Sequence, residues 1–195
     1  MIHTYKLNGL PLQTGDIICT NDGEVELLPG DFWRILGRLL PGKVGHVAVY
    51  LGPGGVCVEA GARGVIRYEI PGDTWDPPAM YDQRGRFQDR FYGVAYPLEG
   101  LELVKTEEEH IRGEVAAFCL AQAEARRPYN INFLNPHTEE AFYCSQLPYL
   151  AYLPHGIDLN TGLGVPNLIG TEGIVFPQEI WSGCVTRRCK LEIIN

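Results

Sequence analysis

The sequence has no apolar run long enough to span a bilayer, which takes about 20 consecutive apolar residues as a helix. It has no Lys/Arg cluster either, and its net charge is −8, so a nucleic-acid backbone is excluded as the expected partner. The opening MIHTYKLNGLPLQTGD lacks the basic-then-apolar layout of a signal peptide, and a cytoplasmic location is the default expectation. Cysteines 19, 57, 119, 144, 184 and 189 contain no pair of CxxC motifs; Cys184 and Cys189 stand near the end without a second pair. Structural zinc is therefore not expected, and free thiols, most of them small buried hydrophobes, are. Repeats, low-complexity segments and linkers are also missing. What remains is an ordinary globular composition, 45% hydrophobic and 21% charged over 195 residues, enough for a single domain (1–195) with a sizeable core.

The residues that are present suggest strands first and helices later. TGDIICT (14–20) reads as a short strand, and DFWRILGRLL (31–40) as a helix opened by Asp31 and closed at Pro41-Gly42. A hairpin follows over 45–60, then GVIRYEI (64–70) as a third strand. Residues 71–90, rich in Pro, Gly and charge, read as an irregular surface excursion. Their Trp75, Asp76, Arg84, Arg86 and Arg90 either border a cleft or, more usually, belong to a plain surface loop. RFYGVAYPL (90–98) is another strand. Thr106, with Glu109 three residues on as a capping box, opens the longest helix. Ile111, Val115, Phe118 and Cys119, with Gln122 opposite, pattern it to about Arg127. FPQEIWSG reads as a short helix with Pro177 in its first turn, and CKLEII as a closing strand. This distribution argues an α+β domain with an antiparallel sheet packed against helices.

The hairpin GHVAVYLGPGGVCVEA (45–60) carries an imidazole and a carboxylate in an apolar setting. A two-residue turn at Pro53-Gly54, or a four-residue loop from Gly52 to Gly55, leads the pairing from Leu51 to Val56. Ala48 then lies opposite Glu59 and His46 opposite Gly61. Side chains alternate along a strand and match across it, so His46, Ala48, Tyr50, Cys57 and Glu59 share one face. Val47, Val49, Leu51, Val56, Val58 and Ala60 share the other. His46 and Glu59 become diagonal neighbours, whereas an odd loop length would separate them. For the hairpin alone, an edge with its polar face in water is the favoured reading.

Cys144 tips the balance. It precedes SQLPYLAYL, whose Leu147, Leu150 and Ala151 fit one helical face, and Pro148 is tolerated only in a first turn. The helix must start within a residue or two of Cys144. A thiol there gains from the dipole and unpaired N–H groups, which also suit an oxyanion. Taken alone, a buried helix-start cysteine beside Phe142 and Tyr143 is the simpler reading. A nucleophilic cysteine, however, needs a base and the base an orienting acceptor, and His46 and Glu59 supply both. His3 at the terminus, His110 on a helix, His137 and Glu139-Glu140 in a loop, and His155 after the helix are weaker candidates.

TGDIICT, GHVAVYLG, VCVEAGARGV, YNINFLNPHTEEAFYCSQLPYLAY and IVFPQEIWSG together resemble the circularly permuted branch of the NlpC-type, papain-like superfamily, closest to the YiiX/YycO-like hydrolases. The similarity runs from about residue 14 to 183. It implies a cysteine amidase in which Cys144 resembles the nucleophile, His46 the base and Glu59 the third, orienting member. Pro148 departs from the larger apolar residue expected in that family's helix. The implied substrate is an amide in a peptide or acylated small molecule, with no metal or cofactor. Soluble acyl transfer or acyl-lipid hydrolysis on the same residues, and a non-catalytic binding module, remain alternatives.

Overall fold

The computed structural model describes residues 1–22, 42–167 and 169–189. The helix expected over 31–40 and most of the CKLEII strand lie outside them. Six strands form one antiparallel sheet: β3 (Ile17–Asp22), β4 (His46–Tyr50), β5 (Val56–Gly61), β6 (Gly64–Glu69), β7 (Asp89–Tyr96) and β8 (Thr186–Cys189), in the order β6-β5-β4-β3-β7-β8. Helices α1 (Tyr81–Arg84), α2 (Lys105–Glu124), α3 (Gln146–Tyr152) and α4 (Pro177–Gly183) accompany it. The domain is thus α+β, an antiparallel sheet packed with helices. No described helix is long and apolar enough to cross a membrane.

Alternation along the strands generates two cores. Val47, Val49, Val58 and Ala60 meet Ile111, Val115, Leu147 and Leu150 from α2 and α3 on one side. Ala48, Tyr50, Cys57 and Val94 meet Leu7, Leu10, Leu12, Trp75 and Met80 on the other. The second cover is a hairpin of β1 (Thr4–Leu7) and β2 (Leu10–Gln13), a segment to which the sequence reading assigns no element. Its turn is Asn8-Gly9, with φ of 48° and 84°. Positive φ at both turn residues matches the right-handed twist of the strands, and Asn-Gly is the pair that adopts it most readily.

Further expectations need correction. α2 begins at Lys105 with Val104 as N-cap and no side-chain cap, so Thr106 and Glu109 form no capping box; Glu109 instead faces Lys105 one turn back at 3.7 Å. It ends at Glu124, and Gln122 is buried alongside Ile111, Val115 and Cys119 rather than opposite them, because spacings of four, four and three stay on one helical stripe. Residues 71–90 are no simple surface excursion: Trp75, Met80, Arg84 and Asp89 are buried, while Asp76, Arg86 and Arg90 are exposed. The last strand also starts earlier than CKLEII, at Thr186.

Candidate active site

The hairpin keeps the parity its loop requires. Tyr50 pairs with Cys57 and Val49 with Val58, and the Leu51 N–H donates to the Val56 carbonyl at 2.8 Å. His46 and Glu59 therefore share a face, with His46 Nε2 and Glu59 Oε2 3.0 Å apart. Both are buried. The ring packs edge-on against Phe87, with centroids 5.1 Å apart.

Cys144 stands immediately before Ser145, the N-cap of α3, and Pro148 falls in the first turn, where its missing N–H costs no helical bond. The thiol is 7% exposed and within hydrogen-bonding reach of His46. The body of α3 packs on the valine face of the sheet, while Cys144 at its start reaches the His46 ring. The ladder joining β4 to β5 comprises only the pairs at Val49 and Tyr50. His46 and Glu59 stand on the strand ends beyond it, where the thiol meets the ring.

The neighbours of Cys144 fix it from both sides. Ser145 Oγ donates to the Val175 carbonyl at 2.7 Å, and the Val175 N–H donates to Tyr143 Oη at 3.1 Å. Gln146, fully buried, accepts at Oε1 from Asn130 Nδ2 (2.9 Å) and the Tyr143 N–H (3.2 Å), while its Nε2 donates to the Thr138 carbonyl (2.8 Å). One amide thus ties the 130–143 loop to the start of α3. Of the weaker candidates, His137, Glu139, Glu140 and His110 are exposed, and the His110 ring meets the half-buried His155 ring edge-on, with centroids 6.5 Å apart.

Behind Glu59 lies Arg84, expected from the sequence either to border a cleft or, more usually, to sit on a plain surface loop. Arg84 donates through Nε to Glu59 Oε1 and Oε2 (3.0 Å each) and through Nη2 to Oε2 at 2.8 Å. Its other edge binds Asp89 at 3.0 Å through both Nη1 and Nη2. Asp89 also accepts from Thr20 Oγ1 (2.8 Å) and Trp75 Nε1 (3.2 Å). The guanidinium lies over the rings of Trp75 (4.7 Å), Tyr68 (5.0 Å) and Phe87 (5.4 Å). A register shift between Cys19 and Thr20 in the β3–β7 ladder adds local bend beside this cluster, as bulges do near sites. Gln146 stood in the quoted Tyr-Cys-Ser-Gln-Leu segment without an assigned role; Asp89 and Thr20 carried no local signal at all.

Charge follows from this arrangement. Burial alone raises a carboxyl, but Arg84 and then His46 outweigh it and hold Glu59 at about 2. Burial alone lowers an imidazole, yet the Glu59 carboxylate and then Cys144 outweigh that and raise His46 to about 10. The raised imidazole stabilises the fold fully below its unfolded value of 6.5, and that contribution is lost as pH rises through about 10. The lowered carboxyl stabilises above 4.5, and its contribution is lost as pH falls through about 2. Denaturant unfolding from pH 6.5 to 10 should therefore show falling stability in wild type and a flatter profile in His46→Gln. Parallel profiles would remove the imidazolium from the folded state.

Comparison with protein-family models, curated proteins and solved structures returns no match to this chain.

Proposed function

We propose that the chain is a cysteine hydrolase of the circularly permuted papain-like, NlpC-type class, similar to YiiX/YycO-like amidases, acting on an amide in a peptide or acylated small molecule. The observation that carries this reading is that Glu59 and Cys144 share His46 as partner: Glu59 stands 3.0 Å from the imidazole, and the Cys144 thiol is within hydrogen-bonding reach of the same ring. The order His46, Glu59, Cys144 in an antiparallel α+β domain supports the permuted form.

The steps follow the geometry. The Cys144 proton passes to His46, and the thiolate attacks the acyl carbon. Backbone N–H groups at the entry to α3 stabilise the resulting oxyanion. His46 then returns its proton to the leaving amine, and a thioester remains on Cys144. Acylation removes the thiolate, one of the two groups that raise the imidazole, so His46, having given up its proton, stays neutral more readily and is free to accept one from the incoming water. Water attack frees the acid and restores the thiol. Glu59 holds the ring in one orientation and stabilises its charged form throughout.

The six thiols allow a test without a substrate. Burial pushes Cys119 and Cys184 up to about 12 and Cys19 and Cys57 higher still, leaving exposed Cys189 as the rival. Cys57, on the His46 face and therefore the nearest competitor by sequence, is closed off by burial. Partial iodoacetamide labelling at pH 6 should modify Cys144 first. A free thiol with a pKa of about 8.5 is almost wholly protonated there, so His46→Ala should slow Cys144 by about tenfold or more. If Cys189 labels first and His46→Ala leaves Cys144 unchanged, Cys144 is a structural residue.

A further inference from the structure

The structure points to a fourth member of the candidate site: we propose that Arg84 is a positioning residue that holds Glu59 ionised and aimed at His46, and so sets how far toward acid the site stays competent. The inference rests on the hydrolase reading for its functional consequence, but its physical content is a property of Glu59 alone.

Three observations carry it. First, Arg84 and His46 use the same oxygen: Glu59 Oε2 accepts from Arg84 Nη2 at 2.8 Å and stands 3.0 Å from His46 Nε2. The carboxylate cannot rotate toward one partner without moving relative to the other. Secondly, Arg84 is itself fixed. Asp89 binds the guanidinium from the far side, and the three rings of Tyr68, Trp75 and Phe87 enclose it. A planar, permanently charged fork suits this role in a way an ammonium does not. Thirdly, Glu59 and Arg84 are both buried, with side chains 2% and 1% exposed, so a carboxylate without its cation would have no solvent to turn to.

The other groups facing Glu59 do not replace that cation. Cys57 on β5 and Tyr68 on β6 carry no positive charge, and burial raises both, so they stay protonated. Asp89 on β7 is a second acid, and Cys144 reaches Glu59 only through His46. Among the described residues His46 is therefore the only other cation at Glu59, and its own charge depends on Glu59 remaining ionised. Among the causes that lower Glu59, Arg84 is the largest. Without it, Glu59 takes up a proton at higher pH, the imidazole loses its acceptor, and the thiolate loses the imidazolium.

Two readouts test this. Carboxyl ¹³C titration, with Glu59→Gln to assign the signal, follows Glu59 in wild type, Arg84→Met and Arg84→Lys. Arg84→Met should raise the Glu59 midpoint by about one pH unit or more, a tenfold gain in proton affinity. Arg84→Lys, which keeps the charge and loses the fork, should fall between. The acid limb of Cys144 alkylation should move upward with the Glu59 midpoint, a shift that loss of packing alone would not produce. An unmoved midpoint in whichever of the two variants remains folded overturns the proposal. Slow Cys144 labelling in wild type combined with a shifted Glu59 sinks the hydrolase reading and leaves Arg84's role standing.

Discussion

Replacing Cys144 with alanine should abolish turnover on any amide or ester that the wild type cleaves, by at least about 10³-fold. The covalent route needs sulfur, and no other thiol is placed to substitute. Cys19, Cys57, Cys119 and Cys184 are buried, and Cys189 sits at the end of β8. His46→Ala should cost about 10²- to 10⁴-fold, the usual worth of a proton-transfer group. Because the two act as one unit, the double variant should be no slower than the slower single variant. A panel of amide and ester substrates, run on all three variants beside wild type, decides it, with mass spectrometry for an acyl group on Cys144. Acylated product in the presence of an amine or alcohol acceptor would move the reading from hydrolysis to transfer. Wild-type rates in Cys144→Ala would remove the cysteine mechanism altogether.

The half of the site that could be read from the residues obeys local rules. A period of two, and a loop whose length preserves register, suffice to bring His46 and Glu59 to one face. Pro148 bounds the helix start near Cys144 for an equally local reason: it has no N–H to give. The Asn8-Gly9 hairpin was legible on the same terms, since Asn-Gly between Leu7 and Leu10 is a strong turn signal. Arg84 and Asp89 are a different case. Charges in a Pro/Gly-rich stretch normally face water, and only the tertiary fold brings Arg84 onto a carboxylate 25 residues away. The surface on which α3 packs was hidden for a related reason. Leu147, Leu150 and Ala151 declare an apolar stripe, but nothing local tells which face of the sheet receives it.

Removing Glu59 should have its largest effect on folding, and this separates its two roles. Glu59→Ala leaves Arg84 enclosed by aromatic rings with Asp89 as its remaining partner, and leaves His46 without an acceptor. Breaking a buried pair by deleting one partner costs about 3–5 kcal/mol, because the other charge stays desolvated and uncompensated. That is a large share of the roughly 5–15 kcal/mol that separates most folded domains from unfolded chains. Glu59→Gln keeps an oxygen acceptor of nearly the same shape for Arg84 or His46, and should cost distinctly less. Denaturant midpoints near neutral pH, with slopes checked for constancy, measure both. Activity should follow the same order on a shorter scale: Glu59→Gln retains some turnover, Glu59→Ala less, and His46→Ala least, since orienting a base is worth less than being one. Should Glu59→Ala match wild type in stability, Arg84 does not depend on that carboxylate, and the buried chain from Asp89 to His46 is not the framework of the site.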